Sequence, residues 1–378
     1  MLFCKNTDFR ENNMQTLPEH LVKEQRIREM LAHLGYHSLL LTRRENFAWL
    51  SCGHKSVVSY VSETSPVFLL ITPSKKYAIG QNMDLPRTFE EELDGQGYEP
   101  VSLPTFGKSP LEKAIELAEG KLAADDCLAG IDNIAAHILK IHEPFTSEEM
   151  ERYDQVSKES AAIVKELALW VKPGVTERMM LAKMWGMYLE QGFEGDCMFI
   201  VSDDRIKRYR HGVPSDKPIE KHLIIAPAVY KYGLHVQISR IVHFGEPPAD
   251  IRKRHDAVSA IHAAVLNMTY PGVRLASMRQ KVFDLFDRFG YPEEKTNHMH
   301  GGPTGYHNSY PDRCDDPQAV AVANMAFTWY ITVKGAKSEE TVLLKEDGIH
   351  IASDNHDWPM MDIDVDGSVI RLPDIMVK

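Results

Sequence analysis

The spacing of apolar and polar positions changes several times along the chain. EHLVKEQRIREMLAHLG carries apolar residues at helical spacing and stops at Gly35. YHSLLLT reads as a short buried strand, and SPVFLLITPSKKYAIG as two strands around a Pro-Ser-Lys-Lys turn. SPLEKAIELAEGKLA predicts a helix and CLAGID another strand. Strands separated by helices predict an α/β amino-terminal domain with a mostly parallel or mixed sheet, over residues 1–145.

The pattern changes at HEPFTSEEMERYDQ, where Thr146 and Glu149 fit a capping box. A long helix is expected from there to about Trp170, ended by Pro173 and Gly174. An internal repeat follows. PGVTERMMLAKMWGMYLEQGF, from Pro173, resembles PGVRLASMRQKVFDLFDRFGY, from Pro271, at a constant offset of 98 residues. Each Pro-Gly-Val joins two amphipathic helices, each second helix ends at Gly-aromatic, and strand-like sequence follows. A helix-helix-strand unit used twice predicts a pseudo-twofold domain over residues 146–378, with a site between its halves. Between the copies, LIIAPAVYKYGLHVQISRIVHFG reads as a β-hairpin around Lys-Tyr-Gly.

Composition narrows the function classes. The net charge of −11, with no basic block, argues against nucleic acid as a partner. No run of 18 apolar residues suggests a membrane span, and MLFCKNTDFRENN lacks a signal-peptide core. Five widely spaced cysteines with no C-x-x-C pair predict reduced thiols in a cytoplasmic protein.

The repeat behind an α/β domain resembles the pita-bread superfamily, which includes methionine aminopeptidase, aminopeptidase P, prolidase and creatinase. The resemblance runs from about Gln25 to the end. RYRHGVPSDKPIEKHLII looks like the approach to the first sheet strand and GLHVQISRIVHFG like the second strand. HMHGGPTGY looks like the His-Gly-rich strand, and GAKSEETVLLKEDGIHIAS like the closing segment. The fold implied is a creatinase-type α/β amino-terminal domain followed by an α+β pita-bread domain.

The resemblance also implies two divalent metals, held by two Asp, one His and two Glu. The positions of the two aspartates hold Ala226 and Gln237. The segment expected to carry one Glu, MAFTWYITVKG, has no acid. The His aligns on Met299 or on His300, and only Glu339 keeps its place. A dinuclear centre needs several anionic ligands, so no metal and no other cofactor is expected. Creatinase, a relative that hydrolyses a C–N bond without metal, implies a role for His211 as proton shuttle, with an ionisation of about 6 to 7. By the same resemblance Glu339 completes the catalytic pair, by orienting a cationic substrate group or the water.

His298, His300, His307, Glu340, Trp329, Tyr330 and Gln237 are the candidates for substrate contact. His298 and His300 are two apart and share a face if extended. Glu340 competes with Glu339 for the inward direction. Trp329 and Tyr330 suggest a partly apolar pocket, with core packing the alternative. Arg240 matches the family's Arg after the second Asp and is expected to ion-pair. Arg208 and Arg210 could recognise a carboxylate. Gly301, Gly302 and Gly305 fit tight strand packing better than a phosphate loop.

The expected function is metal-independent hydrolysis of a C–N bond in a small amide, amidine or guanidino compound, or of a short peptide. The alternatives are an Xaa-Pro aminopeptidase or prolidase-type metallopeptidase with altered ligands, and a non-catalytic pseudopeptidase that binds peptides. A homodimer is implied, with RRENFAWLSCG in the segment that resembles the family's dimer-covering region.

Overall fold

The structure, a computed structural model, describes residues 17–354 and 357–378. Cys4 and the amino-terminal segment read above for a signal peptide lie outside these residues. The four other cysteines are free. No helix among the described residues is long and apolar enough to cross a membrane.

Helix α1 (Glu19–Leu34) buries Ile27, Met30 and Leu31, and ends at Gly35 in the left-handed conformation, φ 75°. Strand β1 (Ser38–Arg43) runs straight into α2 (Arg44–Leu50). Strands β2 (Thr64–Ile71) and β3 (Lys76–Gln81) form the expected hairpin, with Ile71 opposite Lys76. Then come α3 (Leu85–Glu92), β4 (Glu99–Leu103), α4 (Pro110–Leu117), β5 (Leu122–Ala124), β6 (Asp132–Asn133) and α5 (Ala135–Ile141). The six strands make one mixed sheet in the order β4-β3-β2-β1-β5-β6.

One strand differs from expectation. The helix expected through Ala123 stops at Leu117, and Leu122–Ala124 pairs in parallel with β1. Ala123 and Ala124 are fully buried there, because small side chains let the strand pack closely on the sheet centre. Cys127–Ile131 forms a turn instead, closed by hydrogen bonds from Leu128 N to Asp126 O and from Ile131 N to Leu128 O.

Helix α6 (Ser147–Trp170) opens with the reciprocal capping box: Thr146 Oγ1 accepts from Glu149 N, and a Glu149 carboxylate oxygen accepts from Thr146 N. The first half of the repeat continues with α7 (Glu177–Glu190), β7 (Glu194–Ser202), the short α8 (Asp204–Arg208), β8 (His222–Lys231), β9 (Leu234–Gln237) and β10 (Arg240–His243). The second half has α9 (Ala249–Asn267), α10 (Met278–Arg288), β11 (Gly301–Thr304), α11 (Pro311–Asp315), β12 (Met325–Val333), β13 (Ala336–Lys345) and β14 (Gly348–Ile351). A hairpin of β15 (Met360–Val365) and β16 (Ser368–Pro373) follows, and β17 (Met376–Val377) joins the edge of the first sheet at β10.

The repeat in the sequence is a repeat in hydrogen bonding. Gly174 N donates to Ile219 O, and Gly272 N, 98 residues later, donates to Ala321 O. Thr176 bridges to Pro218 and Arg274 to Val320 in the same antiparallel sense. Each half therefore hangs its helices on the back of its own sheet, β17-β10-β8-β7 with β9 on β8, and β11-β12-β13-β14. The two sheets meet where Gln237 N donates to Thr341 Oγ1 (2.9 Å) and Ser239 N to Glu339 O (3.1 Å). This is the pita-bread arrangement, with a cleft between the sheets.

Strand period sorts side chains between core and cleft. On β12, Phe327, Trp329 and Ile331 pack in the helix-side core, while Thr328 and Tyr330 take the other face. On β8, Leu223, Ile225 and Val229 pack in the large core with α6 and α7, while Ile224 and Ala226 pack with Phe199 in a separate cluster. The hairpin tip, Tyr232-Gly233, adopts positive φ at both residues. A Cβ at Gly233 would come within 2.7 Å of Ala48 Cβ and 2.8 Å of the Tyr306 ring, so only glycine lets the tip reach α2.

Candidate functional site

His211 lies in the segment after α8, with its ring stacked flat on Phe199 (centroids 4.9 Å apart, interplanar angle 5°). Phe199 is opposite Ala226 on β8. His298, in the turn that leads into β11, meets His211 from the other half of the repeat, Nε2 to Nε2 at 3.0 Å. A backbone carbonyl assigns the tautomers. His298 Nδ1 is 2.6 Å from Met299 O, so it carries the proton and donates it. Neutral His298 then has only a lone pair at Nε2, and His211 must be the donor across the pair. His211 Nδ1 is left as a free lone pair. No other hydrogen bond reaches His211 among the described residues.

Burial, and then the nearby Lys337 charge, lower the pKa of His211, against a smaller opposing pull from Glu339. Burial also depresses His298 to about 4. Both rings are therefore neutral at pH 7. The ionisation expected between about 6 and 7 shifts downward for this reason.

Tyr330 presents its ring edge-on to His298, with centroids 5.3 Å apart. It is the cross-strand partner of Glu339. Lys337, two residues before Glu339 on β13, holds its ammonium 2.7 Å from Glu339 Oε2 and 5.6 Å from the Tyr330 ring centroid. Lys337 was missed in the sequence. Its signal was the strand period, which puts residues 337 and 339 on one face. Cys197 was missed too. It pairs with Ala228 on β8, and its thiol is shifted upward mainly by burial, with Lys337 and Glu339 both near enough to act on it.

The family's metal centre can be tested against these residues. Ala226 has no donor atom. Gln237 donates its Nε2 to Asn308 O at 2.7 Å. The residue that shares this carbonyl is Thr304, whose Oγ1 donates to Asn308 O at 3.1 Å. So β11 turns Thr304 toward Gln237, and not Met299 or His300. Met299 is exposed. His300 points to α10, with Nε2 2.9 Å from Lys295 O and its ring against Phe286. Glu339 is already neutralised by an ammonium group. No group of three or more His, Cys, Asp or Glu among the described residues is disposed to hold a metal. The residues present do not fit a dinuclear metal site.

Other candidates lie elsewhere. Glu340 faces away from the cleft. It is 1 % exposed and ion-paired with Arg240, and Ser353 Oγ also donates to it. Its carboxylate is thus engaged in the core rather than free for substrate. Arg240 makes the expected structural ion pair. Arg210 is bound to buried Glu294, and Arg208 pairs with Asp204 on the surface. His307 is in the loop after β11, with Nδ1 2.8 Å from Ser309 O. Trp329 lines a cavity behind β12, beside His300.

Comparison with known proteins agrees with this architecture. The model of metallopeptidase family M24 matches residues 151–351, more than half the chain. No curated protein sequence matches. Among solved structures, an Xaa-Pro dipeptidase from Bacillus anthracis superposes with a TM-score of 0.75 at 17% identity, covering 95% of this chain and 100% of that one. An X-Pro aminopeptidase from Thermotoga maritima gives 0.72 at 19%, covering 94% and 99%. The N-terminal domain of FACT complex subunit SPT16 from Cicer arietinum gives 0.63 at 10%, covering 89% and 96%. At these identities the likeness is one of fold.

Proposed function

This chain belongs to metallopeptidase family M24, a family of hydrolases of C–N bonds, and from that premise we propose that it cleaves a C–N bond of a small amide or short peptide without a metal. The observation that carries the reading is the His211–His298 contact between the two halves of the repeat, with the paired charges of Lys337 and Glu339 near enough to act on His211. His211 Nδ1 takes a proton from water as the water oxygen attacks the carbon of the C–N bond. The imidazolium that forms keeps its Nε2–H on His298, which fixes the ring as the third member of a triad would. The same proton then passes to the leaving nitrogen as the C–N bond breaks. Lys337 offers N–H donors to the oxygen on which negative charge develops. Glu339 keeps that ammonium in position.

A non-catalytic binding role is the second reading. It is favoured by the Lys337–Glu339 contact, which occupies the one family carboxylate that remains. A homodimer in the cytoplasm is also proposed. Its support is the loop after α2, where Val58, Tyr60 and Val61 are apolar and exposed. Light scattering that returns a monomer mass at micromolar concentration would refute the dimer.

The deciding experiment is a hydrolysis screen of Xaa-Pro dipeptides, small amides and guanidino compounds, run before and after chelation. Turnover that survives chelation is the expected result. Turnover lost to the chelator and restored by a divalent metal would instead favour a metallopeptidase with altered ligands. Binding without turnover would favour the second reading.

A further inference from the structure

We propose that Lys337 is the built-in cation of the cleft: its ammonium takes over the charge of the family's metal ions and, by holding Glu339, keeps divalent ions out. The misfit between these residues and a metal centre is the starting point. Two divalent ions balance two Asp and two Glu, so a dinuclear site is close to neutral as a whole. Here one carboxylate of that set remains, Glu339, and one ammonium lies 2.7 Å from its Oε2. The balance is kept with the chain's own charges. Glu339 is 4 % exposed, and a carboxylate shut in that far needs a partner charge.

The ammonium belongs to the cleft rather than to solvent. The strand period puts Lys337 on the face of Glu339, its side chain is largely buried, and its charge lies over the Tyr330 ring at 5.6 Å. It is near enough to act on His211 after α8, on His298 before β11 and on Cys197 in β7. One cation thus acts on both halves of the repeat. The neighbouring carboxylates are engaged. Asp196, which also acts on Cys197, accepts from Asn308 Nδ2, and Glu340 is closed off by Arg240. A divalent ion beside Glu339 would therefore meet one negative and one positive charge at similar range, and the two cancel.

The test is metal binding to the full chain, read by calorimetry with manganese(II), cobalt(II) and zinc(II). Ala226→Asp with Gln237→Asp restores the two aspartates and leaves Lys337 in place. This variant is expected to bind each metal at least about tenfold more weakly than the same pair combined with Lys337→Met. Lys337→Arg in the same background keeps the charge and should keep the exclusion, which a purely structural lysine would not predict. Gln237→Asp alone, with and without Lys337→Met, makes the same comparison if Ala226→Asp, opposite Phe199, does not fold. Equal affinity with and without Lys337 overturns the proposal, and so does the absence of metal from every variant. It goes beyond the hydrolytic reading, and the two fail separately because no turnover enters these measurements. Exclusion by Lys337 in a chain that hydrolyses nothing removes the hydrolytic reading and leaves the built-in cation. Equal affinities in a chain that cleaves amides do the reverse.

Discussion

Glu339 and Glu340 are adjacent on β13 and lie on opposite faces of the sheet. Glu340 is sealed between Arg240 and Ser353, with no water-facing surface to speak of. Glu339 is on the cleft face, with one oxygen on Lys337 and a tyrosine ring and two histidines nearby. One strand thus carries a charge that holds the fold and a charge that can act on what enters the cleft. The difference lies in the partners. The guanidinium of Arg240 is fixed by two backbone carbonyls, those of Ser239 and Ser353, as well as by the carboxylate. The pair is a closed set. In the cleft, His211 keeps an unused lone pair and Lys337 keeps donors to spare. A substitution on the inner face should therefore be read in stability, and one on the cleft face in rate.

The largest effect expected is on rate. His211→Ala should lower turnover by about 100- to 10,000-fold, the usual worth of a positioned acid–base group, and leave the denaturant midpoint near that of wild type, because the residue lies at the surface with only one face of its ring covered. In wild type, the rate should fall as pH drops through an ionisation below the usual histidine value of 6.5, since the base must be neutral and burial disfavours its charged form. Activity of His211→Ala equal to wild type would remove His211 from the mechanism.

Glu340→Ala should do the opposite. It strands the Arg240 guanidinium, which is 2 % exposed, in the core. Removal of one partner of a buried pair costs about 3–5 kcal/mol. Urea titration followed by far-UV circular dichroism measures it. A loss below about 1 kcal/mol would mean that the two faces of β13 do not differ as described.

The framework of this comparison was legible in the sequence. The repeat at a 98-residue offset, the Thr146–Glu149 capping box and the glycine stops are local signals, and each has a local structural cause. The emptied ligand positions were legible for the same reason, since Ala226 and the acid-free β12 need no coordinates to be seen. Three things were not. The strand at Leu122–Ala124 looked helical because small, weakly patterned residues do not reveal which period they obey. The choice between Met299 and His300 had no answer in the sequence because the strand turns Thr304 inward instead, a matter of which residue shares the Asn308 carbonyl with Gln237. The His211–His298 contact joins residues 87 apart across the two halves of the repeat. Only the packing of one sheet against the other brings them together.

The smallest effect expected is the most specific to the cleft. Glu339→Gln keeps a hydrogen-bond acceptor for Lys337 and removes the negative charge. Glu339 is 4 % exposed and Lys337 is only partly accessible, so the stability change should be about 1–3 kcal/mol, below that of Glu340→Ala. The charge has a second consequence. Glu339 favours the protonated form of His211, while Lys337 disfavours it. Without the carboxylate, only the disfavouring charge is left, and the pKa of His211 must fall further. A base that titrates lower stays neutral to lower pH, so the acid limb of the rate profile should move to lower pH in Glu339→Gln. In Lys337→Met, by the same sign, it should move to higher pH. Rate profiles between pH 4 and 8 on the three proteins measure both shifts. If both variants moved the limb in the same direction, the charge felt by the reacting base would not come from this pair, and the cleft face of β13 would be a scaffold like its other side.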